Sequence, residues 1–484
     1  MKTKQDFAAI IDQTAEKYDQ IAALRRAGDP RYFQHQEAMA TMFAMLSQQL
    51  EIGMMEPFDK VRDATVLADA ALKGIIPKGS PARVKVLVKN ASKTGDFTMD
   101  AGRIVTDSDS TPYVVDRPVI IPRAASDTEP GKGFVELVQR KVKKITHTVN
   151  ASSPFYAVEI PESTEGAYLA SIDIASPDGT AFRYTPGFTN VRPGDKVYHV
   201  ETDEYRRVWV KFGIDGIAGY QPVAGEVLEI FVAETNGNVL PGKGSPFSLE
   251  YAYTPTESLI TIEMVELMIA GSDPLGIPAL RELSRYPSIY NESAVYLGEF
   301  DFLVRRTITN LPFLSVWNEQ VEEQARGPSV DNINRLFVSF CEPVNSSKAF
   351  VEGEIRRVLL GADDSFDVVF VSPVVSNINL HIQAQIARVH DMAAVRAQII
   401  TAILSEYGSE SPLSLQGMLV LQYKRVYDYL RGKIPALQDA GSDFSVAITN
   451  PPTKTLPEHW RYVSPTSLVV DVRSADYNIG GWGR

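Results

Sequence analysis

A single cysteine, Cys341, in 484 residues leaves no partner for an internal disulfide and no cysteine cluster for a metal. It lies in the apolar run RLFVSFC, where a buried structural thiol is expected. Positive charge is also scarce: 48 Lys plus Arg against 60 Asp plus Glu give a net charge of -12. That balance argues against wrapping a nucleic acid or lying on an anionic membrane, while leaving room for a local basic patch. No window approaches about 18 uninterrupted apolar residues, and MKTKQDFAAIIDQ has no apolar h-region, so neither a membrane span nor a signal peptide is expected. The histidines, His35, His147, His199, His381, His390 and His459, form no HxxxH or HExxH pair, and no G-x-S-x-G occurs. Metal and nucleophile-elbow chemistry therefore lack their usual signatures, no catalytic residue is assigned, and no cofactor is expected. Asp363 and Asp364 sit in a turn-like GADDSFD, where solvated loop acids are the default reading. Glycosidase carboxylates are not tested by this, because they need not be neighbours in sequence.

Glycine is present where a phosphate cradle would need it. The stretch VWVKFGIDGIAGYQPVAGEVLEIFV, residues 208–232, holds Gly213, Gly216, Gly219 and Gly225 between two apolar runs. A phosphate-binding loop would lead into a helix whose N-terminus faces the anion. Here Leu228, Ile230 and Val232 alternate as a strand, as Val208, Val210 and Phe212 do before the glycines. The glycines are therefore read as positive-φ and close-approach positions in a long hairpin connection, with Asp215-Gly216 as its turn dipeptide. Pro-Gly-Lys-Gly recurs at Pro130 to Gly133 and Pro241 to Gly244 without Walker spacing or a following helix, and both copies read as tight turns. Arg140, Lys141, Lys143 and Lys144 lie on a strand-like segment without interleaved aromatics, which reads as a solvated edge.

At this length two to four domains are expected. The pattern gives a multidomain α+β chain: an N-terminal helical region over 1–79, a central all-β domain over 80–255, α+β domains over 256–375 and 376–450, and a tail over 451–484. Thr3 and Asp6 make a capping box, and Phe7, Ile11, Thr14, Tyr18 and Ile21 form one seam along a helix. A second helix repeats the seam with Met39, Phe43, Leu46 and Leu50, adds Met42 and Met45 on a neighbouring stripe, and is extended by Met54, Phe58, Val61, Ala68 and Leu72. A few helices with narrow seams enclose little volume, so they bury those seams elsewhere, either as a cap on the next domain or in an intermolecular bundle. Past Pro255, ESLITIEMVELMIAGSDPLGIPALRELSRYP reads as two helices broken at Gly271 to Pro274. The tail, with one strand-like run SLVVDV, is expected to lie over a surface.

The string KFGIDGIAGYQPVAGEVLEIFVAETNGN resembles the signature of the phage baseplate J-like family, which includes the large wedge subunit of contractile-tailed phages. It has a strand ending in Phe212-Gly213, then Asp215-Gly216, a further glycine, Pro222, Gly225, and a strand leading to Thr235-x-Gly237, with one extra residue near Ile214. A second block, AGSDPLGIPALRELSRYPSIYNESAVYLGEFDFLV, is similar to the family's helix-Pro-helix pattern through Gly271, Asp273, Arg281, Pro287, Ala294, Val295 and Asp301. Ser293 stands where the family usually has Arg, and Asp301-Phe302 where it has Asp-Tyr.

The resemblance implies an assembly part and no enzyme: a wedge protein whose copies ring a central hub in the virion's tail baseplate, made and assembled in the host cytoplasm. Its implied partners are other copies through the C-terminal domains, other wedge subunits through the N-terminal helices, and the hub and sheath-initiator proteins. Neither nucleic acid nor membrane is among them. Phe7, Ile11, Tyr18, Ile21, Met39, Phe43, Leu46 and Leu50 are the bundle-interface candidates. The competing reading is a tail-associated glycan-binding or glycan-cleaving protein. An exposed aromatic platform beside two convergent carboxylates in the β domain would favour it.

Overall fold

In the computed structural model, which describes residues 3–54, 62–188, 190–203, 205–286, 293–411, 413–414, 420–451 and 455–475, Thr3 caps α1 (Lys4–Ala15) through a reciprocal bond with Asp6. The chain divides into two units, Met1–Val66 and Leu67–Arg484. In the first, α1 ends at Ala15 and Tyr18 is extended as the N-cap of α2 (Asp19–Arg26). The expected single seam from Phe7 to Ile21 is thus broken into two helices. Helix α3 (Pro30–Met54) packs on α1 through a Phe7–Phe43 stack with centroids 5.7 Å apart, and through Gln36 and Tyr32, which both donate to Asp12. Helix α4 (Asp63–Leu72) follows, while Phe58 and Val61 lie outside the described residues.

The β region is two nested sheets, where one domain was expected. It opens with β1 (Arg83–Asn90), β2 (Phe97–Met99), β3 (Ile104–Thr106), β4 (Pro112–Val115), β5 (Val119–Ile121) and β6 (Gly131–Val138). The chain then leaves for β7 (Lys141–Thr148), β8 (Ala157–Ile160), β9 (Tyr168–Ala175), β10 (Ala181–Tyr184), β11 (Val197–Thr202), β12 (Val208–Lys211) and β13 (Val227–Thr235), and returns with β14 (Pro246–Leu249) and β15 (Ile260–Ile269). Strands β1-β15-β14-β3-β4-β6 close a barrel around Val84, Val86, Val88, Tyr113 and Met264, and β2 pairs with β5. The intervening strands form a seven-stranded sheet, β7-β13-β9-β10-β11-β12-β8, with its own core of Val158, Ile174, Val200, Phe212 and Ile230.

Three expectations give way here. ITIEMVELMI, read as helix, is β15: Ile262 and Met264 point inward between exposed Thr261 and Glu263, a period of two, and pairing along all of β1 closes the barrel. The barrel therefore runs past residue 255. The first Pro-Gly-Lys-Gly is the start of β6, not a turn; a Cβ on Gly131 would fall 1.7 Å from the Pro122 carbonyl oxygen. Strands β12 and β13 do not pair, so the link between them is a crossover and not a hairpin. It is long enough to pass β11, β10 and β9 before β13 joins the sheet.

Two α+β sheets follow. In the first, β16 (Phe313–Asn318) is antiparallel and β18 (Asp367–Phe370) parallel to β17 (Arg335–Cys341). Helices α5 (Ile277–Leu283), α6 (Leu297–Thr307), α7 (Glu319–Arg326) and α8 (Lys348–Ala362) accompany it, and α8 buries Val351, Ile355 and Leu359 at four-residue steps. Next come β19 (Val374–Asn377), β20 (Asn379–Ile386), α9 (Met392–Tyr407), α10 (Tyr423–Lys433), β21 (Asp443–Thr449), β22 (His459–Tyr462) and β23 (Leu468–Ser474). The tail does not lie over a surface: β23 pairs along all of β20 and β22 pairs with β19, so the segment completes the last domain. With strands 4–8 residues long, SLVVDV had the length and β-branching of a core strand, and the Pro-rich flank hid it. The chain is a multidomain α+β protein. No helix among the described residues is long and apolar enough to cross a membrane.

Candidate assembly interface

Helix α3 carries no charged residue from Ala38 to Leu50. At 3.6 residues per turn, Met45, Met42, Leu46, Met39, Leu50 and Phe43 cover about 160° of its circumference. All six are exposed, Met42 to 70%. The opposite side packs on α1, with Gln36 and Ala40 buried. A stripe facing one core is usually somewhat more than 100° wide, so this second arc is wide enough for a packing surface of its own; its Phe43 edge meets the Phe7 ring of α1, and the rest is exposed. Tyr18, Ile21, Leu24 and Phe33 add exposed apolar area from the same unit. Of the eight bundle candidates, Phe7 and Ile11 are half-buried within the unit and the other six are exposed. Met42 and Met45, noted in sequence as a side stripe, are the most exposed of the arc. The missing charge over Ala38–Leu50 is the signal that would have included them.

The glycine loop after β12 has its own geometry. Ile214 and Ala218 bridge around Asp215-Gly216, where Gly216 has φ 69°. Gly219 and Gly225 have φ 70° and 87°, and a Cβ on Gly213 would stand 2.1 Å from the Ala218 carbonyl oxygen. The N–H groups of Gly213, Ile214, Ala218 and Gly219 donate to Tyr220, Ala218, Ile214 and Arg192 carbonyls, so they are not aimed at an anion. Tyr220 donates to Glu226 at 2.8 Å, and burial with that carboxylate pushes its hydroxyl up to about 12. The second Pro-Gly-Lys-Gly is a turn with Gly244 at φ 85°.

The ends of the two quoted blocks meet. Asp273 accepts the Asn238 N–H at 3.0 Å, a Cβ on Gly271 would lie 2.1 Å from the Gly237 carbonyl oxygen, and Ser272 exchanges two backbone bonds with Ser80. The hydroxyls of Ser80 and Ser272 both reach Thr309. This junction ties the start of the barrel, the exit of the seven-stranded sheet and the end of α6. Asp301, in the second block, holds Arg305 at 2.8 Å and accepts from Tyr286, whose hydroxyl burial pushes up. Pro287 lies outside the described residues.

Several of the remaining sequence candidates are occupied locally. Lys143 and Lys144 of the edge strand β7 pair with Glu234 and Glu229. Cys341 is half-buried, and burial with Glu342 pushes its thiol up to about 11. His199 is buried and donates to the Thr185 carbonyl; burial holds it below its ordinary range. No group of three or more His, Cys, Asp or Glu among the described residues is placed to hold a metal.

No protein-family model matches the sequence, and no curated protein is similar to it. Among solved structures, the chain is similar to one in the cryo-EM structure of the anti-feeding prophage baseplate, at 11% identity over 95% of this chain and 90% of that one, with a TM-score of 0.28. It is also similar to a chain of the type VI secretion system TssK-TssF-TssG baseplate subcomplex, at 9% identity over 70% of this chain and 96% of that one, with a TM-score of 0.32. Superpositions at these scores do not establish a common fold.

Proposed function

We propose that this chain is a structural subunit of the baseplate of a contractile tail or injection machine. It acts as a wedge that joins other wedge subunits through its N-terminal helices and other copies of itself through its C-terminal domains. On this reading the ring surrounds a central hub, touches the sheath initiator and relays the signal for sheath contraction, and the protein's working surfaces are interfaces instead of an active site. The observation that carries the proposal is the exposed, uncharged arc of α3. Burying each of its large side chains is worth about 1.5–3 kcal/mol, a driving force that a bundle with neighbouring subunits would use. The order of the two family-like blocks, and their meeting at one junction, favours this assembly class.

The test is co-expression with the neighbouring tail gene products. Met42→Glu with Leu46→Glu is expected to abolish co-purification while leaving the melting temperature of the isolated chain unchanged. A double variant that still co-purifies in full overturns the proposal.

A further inference from the structure

Strands β8, β11 and β12 turn Val158, Ile160, Val200 and Val210 into the core, so their alternate side chains form an outer face. Register sets Trp209 opposite Glu201 on one side and Glu159 on the other. At the end of this face Asp203 builds the β11–β12 turn: its Oδ1 accepts the N–H groups of Tyr205 and Arg207, each at 2.9 Å. Tyr205 is thereby held at the tip, 73% exposed. Arg206 sits at φ 65°, a left-handed conformation that costs a non-glycine residue on the order of 1 kcal/mol. The Arg207 guanidinium lies 5.4 Å from the Tyr205 ring centroid and 5.6 Å from that of Trp209. It is held there by Asp203 at 2.8 Å and Glu159 at 3.8 Å. Hydrogen bonds to the Asp203 carboxylate outweigh the effect of burial and keep it below its ordinary range.

We propose that this face binds a neutral oligosaccharide. A pyranose has one face of C–H groups and a rim of hydroxyls, and both halves find partners here. The exposed Tyr205 ring offers flat apolar area beside the half-buried Trp209, the Arg207 guanidinium lying over one face of each, while Arg207 and Glu159 offer a donor and an acceptor already held in place, so little ordering is left for binding to supply. In sequence the acids Glu159, Glu201, Asp203 and Glu204 outnumber the bases Arg206, Arg207 and Lys211 by one, which disfavours a polyanion. A purely structural stack would need only Arg207 over Trp209. It leaves the exposed Tyr205 and the strained Arg206 without a purpose. The site is independent of the α3 surface and adds a binding function to the structural role.

Calorimetric titration of the full-length protein with maltohexaose and with N-acetylchitohexaose tests this. Saturable binding to at least one sugar is expected, weakened about ten-fold by Tyr205→Ala with no change in melting temperature, and weakened also by Arg207→Lys, which keeps the charge but loses the planar fork. Tyr205 is 73% exposed at the turn, so its variant is expected to fold even if Trp209→Ala does not. No saturable heat with either sugar at millimolar concentration overturns the proposal. So does a Tyr205→Ala protein that binds as well as the parent, or a Tyr205→Ala defect confined to a protein partner.

Discussion

Gly237 and Gly271 sit where the second quoted block meets the end of the first, and neither has room for a methyl group. A Cβ on Gly237 would stand 2.1 Å from Asp273 Oδ1 at a φ of 70°, and one on Gly271 would meet backbone. Gly237→Ala and Gly271→Ala are each expected to cost at least about 2 kcal/mol in denaturant unfolding. Gly179→Ala, which shares a positive φ but has open space, is expected to cost about 1 kcal/mol from strain alone. Cys341, with its thiol pushed up to about 11, is expected to resist iodoacetamide at neutral pH and to react only as pH approaches that value. His199 has a folded pKa below its unfolded value of about 6.5. Its contribution is full above that pH and is lost as pH falls through the folded value, because the unfolded state takes up the proton first. His199→Gln is expected to flatten the acid side of the melting-temperature profile.

Among elements, α3 behaves as a surface waiting for a partner. Met42→Gln or Met45→Gln is expected to change the stability of the isolated chain by no more than about 0.5 kcal/mol, since both are exposed. The long helix α3, the strand alternation of β1 and the crossover helix α8 were legible because each repeats one period over eight or more residues. The barrel was not. β15 carries Glu, Met and Leu, which suit a helix, and only its pairing with β1, some 170 residues earlier in the chain, decides for strand. The glycine loop shows the same division. Its local turn at Asp215-Gly216 was readable from two residues, whereas the partners of β12 and β13 depend on the whole sheet order. Of the interface, the exposed stripe on α3 was visible as Met39, Phe43, Leu46 and Leu50. The aromatic face at Tyr205 was not, because it is assembled by register across three strands.

At the scale of the whole molecule, residues 458–474 lock the C-terminal half together. Arg326 donates to both oxygens of Glu322 at 2.8 Å and to Glu458, Glu322 accepts from Trp317, and Trp460 stacks on Phe313 at 5.8 Å. Arg326→Ala would leave two buried carboxylates without their cation and is expected to cost about 2 kcal/mol or more, discounted for the partial exposure of the arginine. Removing residues 455–484 is expected to unfold the β20 sheet, since β23 goes with them.

The central claim is that the N-terminal helices find their packing partners in other chains. Amide hydrogen exchange over Pro30–Leu50, measured on the isolated protein and on its complex with co-expressed tail subunits, tests it most directly. Fast exchange in the isolated chain and strong protection in the complex are predicted. Equal exchange in the two states would contradict the account.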